Sequence, residues 1–425
     1  MNFYSTNGAA PAVSFRDAVI KGLPEDNGLY MPENIPALPH EFLTDLSNLD
    51  IAEIAHTVAL PFVGEDIPSD TLYSIVKETL NFSIPVVNVH DSIYSLELYH
   101  GPTCAFKDVG ARFLARCLGY FSDEEVTVLV ATSGDTGSAV ANGFLGVPNV
   151  QVVILYPKGK VSHLQEQQLT TLGQNITALE VDGTFDDCQS MVKAAFLDKE
   201  MDQHKQLTSA NSINIARLLP QSFYYFWAMA QLPSAENVLF SVPSGNYGNL
   251  TAGLLAKAMG LNIKGFTASS NINDVVPKYL ARGDYYPKPS KSTISNAMDV
   301  GNPSNFGRMT ELYDRSWKKI TGDIVGYSFT DEQTRQVMKE VHDRYNYVLD
   351  PHGAVGYLGL RDHLRNTSAT GVFLETAHPA KFIDTVTAVI GEVEIPGRLK
   401  TYLDKKKVSI PVGNSYKDLK EYLMA

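Results

Sequence analysis

Cysteine is scarce in this chain, and long apolar runs are absent. The 425 residues contain only Cys104, Cys117 and Cys188, an odd number without the spacing of metal ligands. Such a set builds no disulfide framework and fits a reducing compartment. No apolar segment reaches the ~18 residues of a membrane span, and the N-terminus lacks a signal-peptide pattern. The sequence therefore predicts a cytoplasmic protein with no metal and no membrane partner.

Positive charge is also in short supply. The 35 Lys and Arg residues face 47 Asp and Glu residues, which leaves a formal net charge of -12. The basic cluster at 405–407 is too short to offset this acidity, and we interpret it as a solvated surface. These numbers argue against a nucleic acid as partner. The chain is longer than a usual domain with a single hydrophobic core, which predicts an enzyme of two or three domains.

The hydrophobic pattern divides the chain at about residue 82. Before it, short helices are expected between prolines and glycines, with helical spacing at 50–60 and 71–81. After it, strand-like runs alternate with helical patterns, the runs being 126–131, 150–156, 176–181, 238–242 and 263–268. This alternation predicts an α/β fold with a mostly parallel sheet. Residues 222–231 are apolar around most of a helix, which predicts a core helix or a subunit contact.

Lys107 stands between the apolar residues Ala105 and Phe106 and a helical pattern over 108–120. A free lysine has a pKa near ~10.4, so its amine becomes a nucleophile only through desolvation or a nearby cation. The apolar neighbours could supply that desolvation. A surface lysine at the start of a helix remains the alternative when this segment is taken alone.

Two loops of small residues each follow a strand-like run and precede a helical pattern. They are Ala-Thr-Ser-Gly-Asp-Thr-Gly-Ser at 131–138 and Ser-Val-Pro-Ser-Gly-Asn-Tyr-Gly-Asn at 241–249. Backbone N–H groups in such loops converge on an anion at the positive end of a helix, which suits phosphate or carboxylate. Taken singly, each loop is also compatible with a plain turn between strand and helix.

Together these segments resemble pyridoxal 5'-phosphate (PLP) enzymes of the tryptophan synthase β-like fold, and more narrowly the threonine synthase family. The matching segments are 14–16, 27–30, 100–108, 131–137, 153–160, 209–217, 241–249, 295–299 and 376–382. The resemblance implies PLP-dependent fold type II, with two open, mostly parallel sheets covered by helices and an added N-terminal helical unit. It implies an N-terminal domain at 1–82, a large PLP-binding domain at 83–108 plus 218–425, and a smaller, mobile domain at 109–217.

The resemblance also implies PLP as the cofactor, bound covalently by Lys107. The residues expected around its phosphate are Gly245, Asn246, Tyr247, Gly248 and Asn249, where absent or small side chains let backbone donors approach. Thr376 matches the position whose hydroxyl meets the pyridine nitrogen. Because a hydroxyl does not fix that nitrogen as protonated, the reaction would depend more on proton transfer by Lys107.

Two further segments are implied to bind the substrate, with Thr132, Ser133, Asp135 and Thr136 in one and Asn211, Ser212 and Arg217 in the other. Ser133 and Thr136 are the preferred donors to an α-carboxylate. Asp135 stands where relatives often have Asn near the ring hydroxyl, so an anion there would have to be protonated or turned away. Ser212 is expected to cap a helix that carries Arg217, and both could then hold a phosphate. A structural cap with an exposed arginine is the alternative.

A second phosphate site fits what the resemblance implies about activity. The implied reaction is γ-elimination of phosphate from O-phospho-L-homoserine and addition of water at Cβ, giving L-threonine and phosphate at the last step of threonine biosynthesis. Such an enzyme is a carbon-oxygen lyase that acts on phosphates. A phospho-lyase or dehydratase that releases 2-oxobutanoate and a non-catalytic PLP-binding homologue remain as alternatives. We expect a monomer or a homodimer.

Overall fold

Two sheets of mostly parallel strands form the centre of the computed structural model, which describes residues 1–425. The strands are β1 (Phe3–Ser5), β2 (Tyr30–Pro32), β3 (Val86–His90), β4 (Ile93–Glu97), β5 (Val126–Ala131), β6 (Val150–Pro157), β7 (Ile176–Val181), β8 (Gln206–Ser209), β9 (Val238–Pro243), β10 (Ile263–Ser270), β11 (Ile324–Ser328), β12 (Thr370–Glu375) and β13 (Ile410–Val412).

Helices cover both sheets and build the N-terminal unit. They are α1 (Phe15–Lys21), α2 (His40–Thr44), α3 (Ile51–Val63), α4 (Ser69–Thr79), α5 (Lys107–Phe121), α6 (Asp135–Phe144), α7 (His163–Thr170), α8 (Phe185–Leu197), α9 (Lys199–His204), α10 (Ile215–Leu218), α11 (Phe223–Gln231), α12 (Gly248–Ala258), α13 (Val275–Arg282), α14 (Phe306–Glu311), α15 (Trp317–Asp323), α16 (Asp331–Tyr345), α17 (Pro351–Leu364), α18 (Ile383–Ile390), α19 (Gly397–Leu403) and α20 (Tyr416–Met424). Short 3₁₀ turns connect several of them.

The larger sheet has six strands in the order β11-β10-β9-β12-β4-β3, and only β3 and β4 pair antiparallel. The smaller sheet has five parallel strands in the order β13-β7-β6-β5-β8. The prediction of two open, mostly parallel sheets covered by helices is therefore confirmed. In each sheet the carboxyl ends of the parallel strands meet at one edge, where ligand sites of α/β folds lie.

The predicted strand runs are all strands in the structure. The runs 126–131 and 176–181 coincide with β5 and β7, and the other three extend by one or two residues into β6, β9 and β10. These segments were recognisable because parallel strands buried on both faces are continuous apolar runs. Helix α11 is largely buried in the main core, which confirms the interpretation of 222–231 as a core helix.

The N-terminal unit contains the two predicted helices as α3 and α4, and its strands β1 and β2 pair antiparallel. Asp50 begins α3 with a capping box, in which its carboxylate accepts from Ala52 and Glu53 N–H groups. Buried side chains of this unit join the same core as α5 and α11. The unit is therefore packed onto the sheets rather than tethered beside them.

The C-terminal segment differs from the predicted division of the chain. We expected all of 218–425 in the large domain, but β13 pairs with β7 of the smaller sheet. Leu419 and Leu423 of α20 also share a core with Met191 of α8. The chain thus returns to the smaller sheet, and its last apolar residues join the core that α8 forms with that sheet. The other domain boundaries stay a prediction.

No helix of this structure is both long enough and apolar enough to cross a membrane.

Candidate active site

A cavity of about 360 Å³ lies between the two sheets. Its walls include residues that follow β5, β8, β9 and β12, the first turn of α5, the start of α8 and residues between 288 and 304. Every site residue expected from the sequence lines it: Lys107, Thr132, Ser133, Asp135, Thr136, Asn211, Ser212, Arg217, Gly245, Asn246, Tyr247, Gly248, Asn249 and Thr376. The fold thus brings together segments that are far apart in the chain.

Lys107 is the first residue of α5, and it lines the cavity. Its Nζ lies 4.6 Å from the centre of the Phe106 ring and has no hydrogen-bond acceptor. Desolvation lowers the pKa of Lys107 to about 8, although the Asp135 carboxylate acts in the opposite direction. The alternative of a solvated surface lysine is therefore excluded. An amine in this state is suited to nucleophilic attack.

The loop 245–249 joins β9 to the N-terminus of α12 and presents backbone to the cavity. A Cβ on Gly245 would lie 2.7 Å from Met298 Cα and 2.8 Å from the Ala297 carbonyl oxygen, so only glycine fits against the segment 295–299. Tyr247 adopts a left-handed conformation with φ of 61°, and its hydroxyl is paired with Ser270 Oγ at 2.6 Å. The loop is thus shaped by close backbone packing and ends at the positive end of a helix.

Side chains of the same loop hold its shape. Asn249 donates to the Pro243 carbonyl at 2.8 Å and accepts from Ser244 Oγ at 2.8 Å. Asn246 accepts from Ser304 N–H and Oγ, both at 2.9 Å. These two asparagines therefore contribute order to the loop, and its backbone N–H groups are the donors that remain for a phosphate.

Ser212 is not the helix cap that we expected. Asn214 caps α10, because its Oδ1 accepts from Ala216 N–H at 3.0 Å. Ser212 instead lies next to the 245–249 loop, where its Oγ accepts from Asn246 Nδ2 at 3.4 Å and from Asn305 Nδ2 at 3.3 Å. The prediction of a cap was wrong because three residues of this segment can cap a helix, and their tertiary contacts decide which one does.

Arg217 lies in α10 against the first turn of α5. Its side chain is buried, and Nη1 donates to the Ala210 carbonyl at 2.6 Å. Nε is buried without any partner, 3.0 Å from the position of a Cβ on Gly110. Burial lowers the pKa of Arg217 to about 10. The alternative of an exposed arginine is excluded, and the guanidinium keeps N–H groups for an anion.

The loop 132–136 is ordered by one of its own side chains. Thr132 Oγ1 accepts from Gly134 N–H at 2.9 Å and from Gly137 N–H at 2.8 Å. The hydroxyls of Ser133 and Thr136 line the cavity and make no hydrogen bond to the protein. They are therefore free to bind a ligand, whereas Thr132 acts through the shape of the loop.

Asp135 is ionised and paired, not protonated or turned away. Its Oδ1 lies 2.7 Å from Lys381 Nζ and accepts from Gln165 Nε2 at 2.9 Å. Burial alone would raise the pKa of Asp135, but the ammonium groups of Lys381 and Lys107 outweigh it and hold the pKa well below its usual range. The sequence analysis missed the role of Lys381, although this residue lies within the matching segment 376–382.

Thr376 directly follows β12, and its carbonyl accepts from Phe106 N–H at 2.8 Å. This bond ties the segment before Lys107 to the threonine. His352, also missed from the sequence, lines the cavity nearby. Its Nδ1 lies 2.5 Å from Asp350 Oδ1, and its Nε2 accepts from Ala297 N–H at 3.2 Å. The pair therefore supports the segment that packs on Gly245.

The residues of the cavity fit PLP. A desolvated amine without an acceptor suits the aldehyde, and the Gly245 loop at a helix N-terminus suits the phosphate. The Thr376 hydroxyl lines the same cavity and can meet the pyridine nitrogen. Arg217 then remains as a donor for a second anion.

Three family models match the chain in succession. Residues 2–80 match "Threonine synthase N terminus", residues 85–374 match "Pyridoxal-phosphate dependent enzyme", and residues 353–423 match "Threonine synthase, C-terminal". The segments that carried the resemblance fall within these matches.

Individual relatives match over the full length. A threonine synthase from Haemophilus influenzae is 45% identical over 428 residues, covering 100% of both chains. The crystal structure of threonine synthase from Escherichia coli is 44% identical with a TM-score of 0.94, covering 100% of this chain and 99% of that one. A PLP-bound threonine synthase from Brucella melitensis is 36% identical with a TM-score of 0.92, covering 100% and 98%.

Proposed function

The chain belongs to the threonine synthase family of PLP-dependent fold type II enzymes, and from this premise we propose that it converts O-phospho-L-homoserine and water into L-threonine and phosphate. The observation that carries the choice of substrate is Arg217. A buried guanidinium that lines the cavity beside the first turn of α5, without a carboxylate partner, supports a second anion site in addition to the 245–249 loop. The loop would hold the phosphate of PLP, and the Arg217 site would hold the phosphate of the substrate.

Binding is divided among the walls of the cavity. Lys107, the 245–249 loop and Thr376 would hold PLP by its aldehyde, phosphate and pyridine nitrogen. Ser133 and Thr136 would donate to the α-carboxylate of the substrate, and Arg217 with Asn211 and Ser212 would hold its phosphate. When bound, PLP supplies an electron sink for the negative charge that develops beside the amino group.

Lys107 is then the residue that moves protons. Displaced by the substrate amine, it would take the proton from Cα and serve at Cβ before phosphate leaves from Cγ. Return of a proton at Cγ forms the methyl group and leaves a double bond between Cα and Cβ. Water then adds its hydroxyl at Cβ, and Cα takes a proton. The lowered pKa of Lys107, about 8, supports this role because the amine can both accept and return a proton near neutral pH.

The addition of water separates this proposal from its alternative. Phosphate retained by Arg217 is suited to act as the base that activates water, because it lies where it was released. A phospho-lyase would instead release the unsaturated product, which decays to 2-oxobutanoate and ammonia. Ser212 can still donate to the phosphate, since its hydroxyl accepts from Asn246 and Asn305 and keeps its own O–H.

The decisive experiment mixes purified protein, PLP and O-phospho-L-homoserine and measures phosphate, threonine and 2-oxobutanoate together. Equal amounts of threonine and phosphate support the synthase. Phosphate with 2-oxobutanoate supports the lyase. Bound PLP without any phosphate release supports a non-catalytic homologue. A cytoplasmic location and a monomer or homodimer stay predictions, which cell fractionation and light scattering test.

A further inference from the structure

The ion pair of Lys381 and Asp135 joins the two halves of the cavity. Lys381 follows β12 of the larger sheet, and Asp135 begins α6 after β5 of the smaller one. The Lys381 side chain is 0% exposed and that of Asp135 is 5% exposed, with 2.7 Å between Nζ and Oδ1. Lys381 Nζ also donates to the Thr103 carbonyl at 2.9 Å, in the segment that leads to Lys107. A single ammonium thus links the start of α6 to the segment that leads to Lys107.

The two oxygens of Asp135 differ in their partners. Lys381 and Gln165 both bond Oδ1, and no protein donor bonds Oδ2. Asp135 and Lys107 line the same cavity. Oδ2 therefore remains without a protein partner, in a residue that lines the same cavity as the Lys107 amine.

We propose that Lys381 is a positioning residue which keeps Asp135 ionised and oriented, so that this buried pair sets how readily the Lys107 amine gains and loses protons. Asp135 favours the charged amine, and Lys381 partly cancels that effect. The balance matters because Lys107 has to be neutral to attack an aldehyde and has to carry a proton afterwards. The proposal deepens the proposed function and rests on it in one respect, that Lys107 binds PLP.

Few other charges act on Lys107. Arg217 and Lys381 lower its pKa, Asp135 raises it, and desolvation is the largest influence. The remaining titratable side chains of the cavity are Asp186, Tyr247, Lys288, Asp299 and His352. None of these five acts on the Lys107 amine as strongly as the three charges above. Removing one member of the pair should therefore shift the pKa of Lys107. Loss of the Asp135 charge should lower it, and loss of the Lys381 charge should raise it.

The test measures the rate at which apoprotein incorporates PLP, as a function of pH. The neutral Lys107 amine condenses with the PLP aldehyde and releases water, so the rate follows deprotonation of that amine. We expect an apparent pKa near 8 for the unchanged protein. In Asp135→Asn it should fall by about one unit, because two cations then face the amine without a counter-charge. In Lys381→Met it should rise by about one unit, because Asp135 is no longer neutralised.

The double variant Asp135→Asn, Lys381→Met supplies the second measurement, since Lys381→Met alone leaves a buried charge unpaired and can fail to fold. Its apparent pKa should lie between those of the single variants. Lys407→Met is the matched control, because Lys407 pairs with Glu166 at 2.7 Å and with Glu180 at 2.8 Å, and none of the three lines the cavity. A merely structural pair would slow incorporation without moving the apparent pKa in opposite directions.

The outcomes separate this inference from the proposed function. Opposite shifts in the two single variants support the role of the pair. Unshifted profiles, or shifts of the same sign, in variants that incorporate PLP at Lys107 overturn it while leaving the proposed function intact. Should Lys381→Met fail to fold, Asp135→Asn decides: an apparent pKa about one unit lower supports the role of the pair, and an unshifted one overturns it. Failure of the unchanged protein to incorporate PLP at Lys107 overturns both.

Discussion

Arg308 binds the main chain of Tyr30 with two donors, Nε at 3.1 Å and Nη2 at 2.9 Å from the same carbonyl oxygen. The guanidinium is wholly buried and has no carboxylate partner. It also donates to the carbonyls of Ser212 and Ile213. One side chain therefore connects the N-terminal unit to the segment that precedes Arg217.

Arg308→Met should destabilise the protein by about 3 kcal/mol, because three buried carbonyls lose their donors. It should also raise the KM for O-phospho-L-homoserine, since the segment around Ser212 loses its support. Urea unfolding and steady-state kinetics measure the two effects. Arg365→Met, at a side chain that is 66% exposed, is the control and should change stability by less than about 0.5 kcal/mol. Equal stability of the two variants would contradict the assigned role.

Lys107→Ala should abolish the visible absorbance of covalently bound PLP and lower threonine formation by about a thousandfold or more. The reason is that no other cavity amine lies on the α5 turn. Lys417→Ala, at an 83% exposed side chain, should leave both unchanged. Persistence of the absorbance band in Lys107→Ala would refute the assignment of this lysine.

Gly245→Ala should raise the dissociation constant for PLP by about tenfold or more, because the added methyl meets the backbone of residues 297 and 298. Equilibrium dialysis of PLP against the apoprotein measures this constant. Gly307→Ala is a matched control, since a Cβ at that position in α14 meets nothing within 4 Å. If both substitutions left PLP affinity unchanged, the phosphate would have to bind elsewhere.

Arg217→Ala should slow threonine formation by about a hundredfold, and the ratio of 2-oxobutanoate to threonine should rise. Loss of the guanidinium removes the group that retains phosphate during water addition. Product analysis in single turnovers gives the ratio, and the exposed Arg282→Ala provides the comparison. An unaltered product ratio in Arg217→Ala would count against phosphate as the base.

Glu375→Gln should change how stability depends on pH. Burial, with the neighbouring Asp350 carboxylate, raises the pKa of Glu375 well above its usual range, so the native protein binds a proton that the unfolded chain releases above pH 4.5. The unchanged protein therefore loses stability as pH rises, by about 1.4 kcal/mol per unit while that proton stays bound, and the Gln variant does not. Urea unfolding at pH 5 and pH 8 should show the variant gaining relative stability at pH 8. Exposed Glu392→Gln should show no such trend.

Much of the site could be predicted because its chemistry lies in short segments. The 245–249 loop, the 132–136 loop and Lys107 each follow from local composition and from the resemblance, and all line one cavity. The cap at Asn214 could not be predicted in the same way. Ser212 and Asn214 are both good capping residues, and the choice between them depends on contacts with Asn246 and Asn305.

The sequence by itself determined the strands and the glycine-rich loops, because these depend on neighbouring residues and on the period of apolar side chains. Only the tertiary structure decided that Lys381 neutralises Asp135, that Arg217 is buried with a free Nε, and that β13 joins the smaller sheet. Charge pairing and desolvation arise between residues distant in the chain. Their strength depends on separation and burial, which no local pattern encodes.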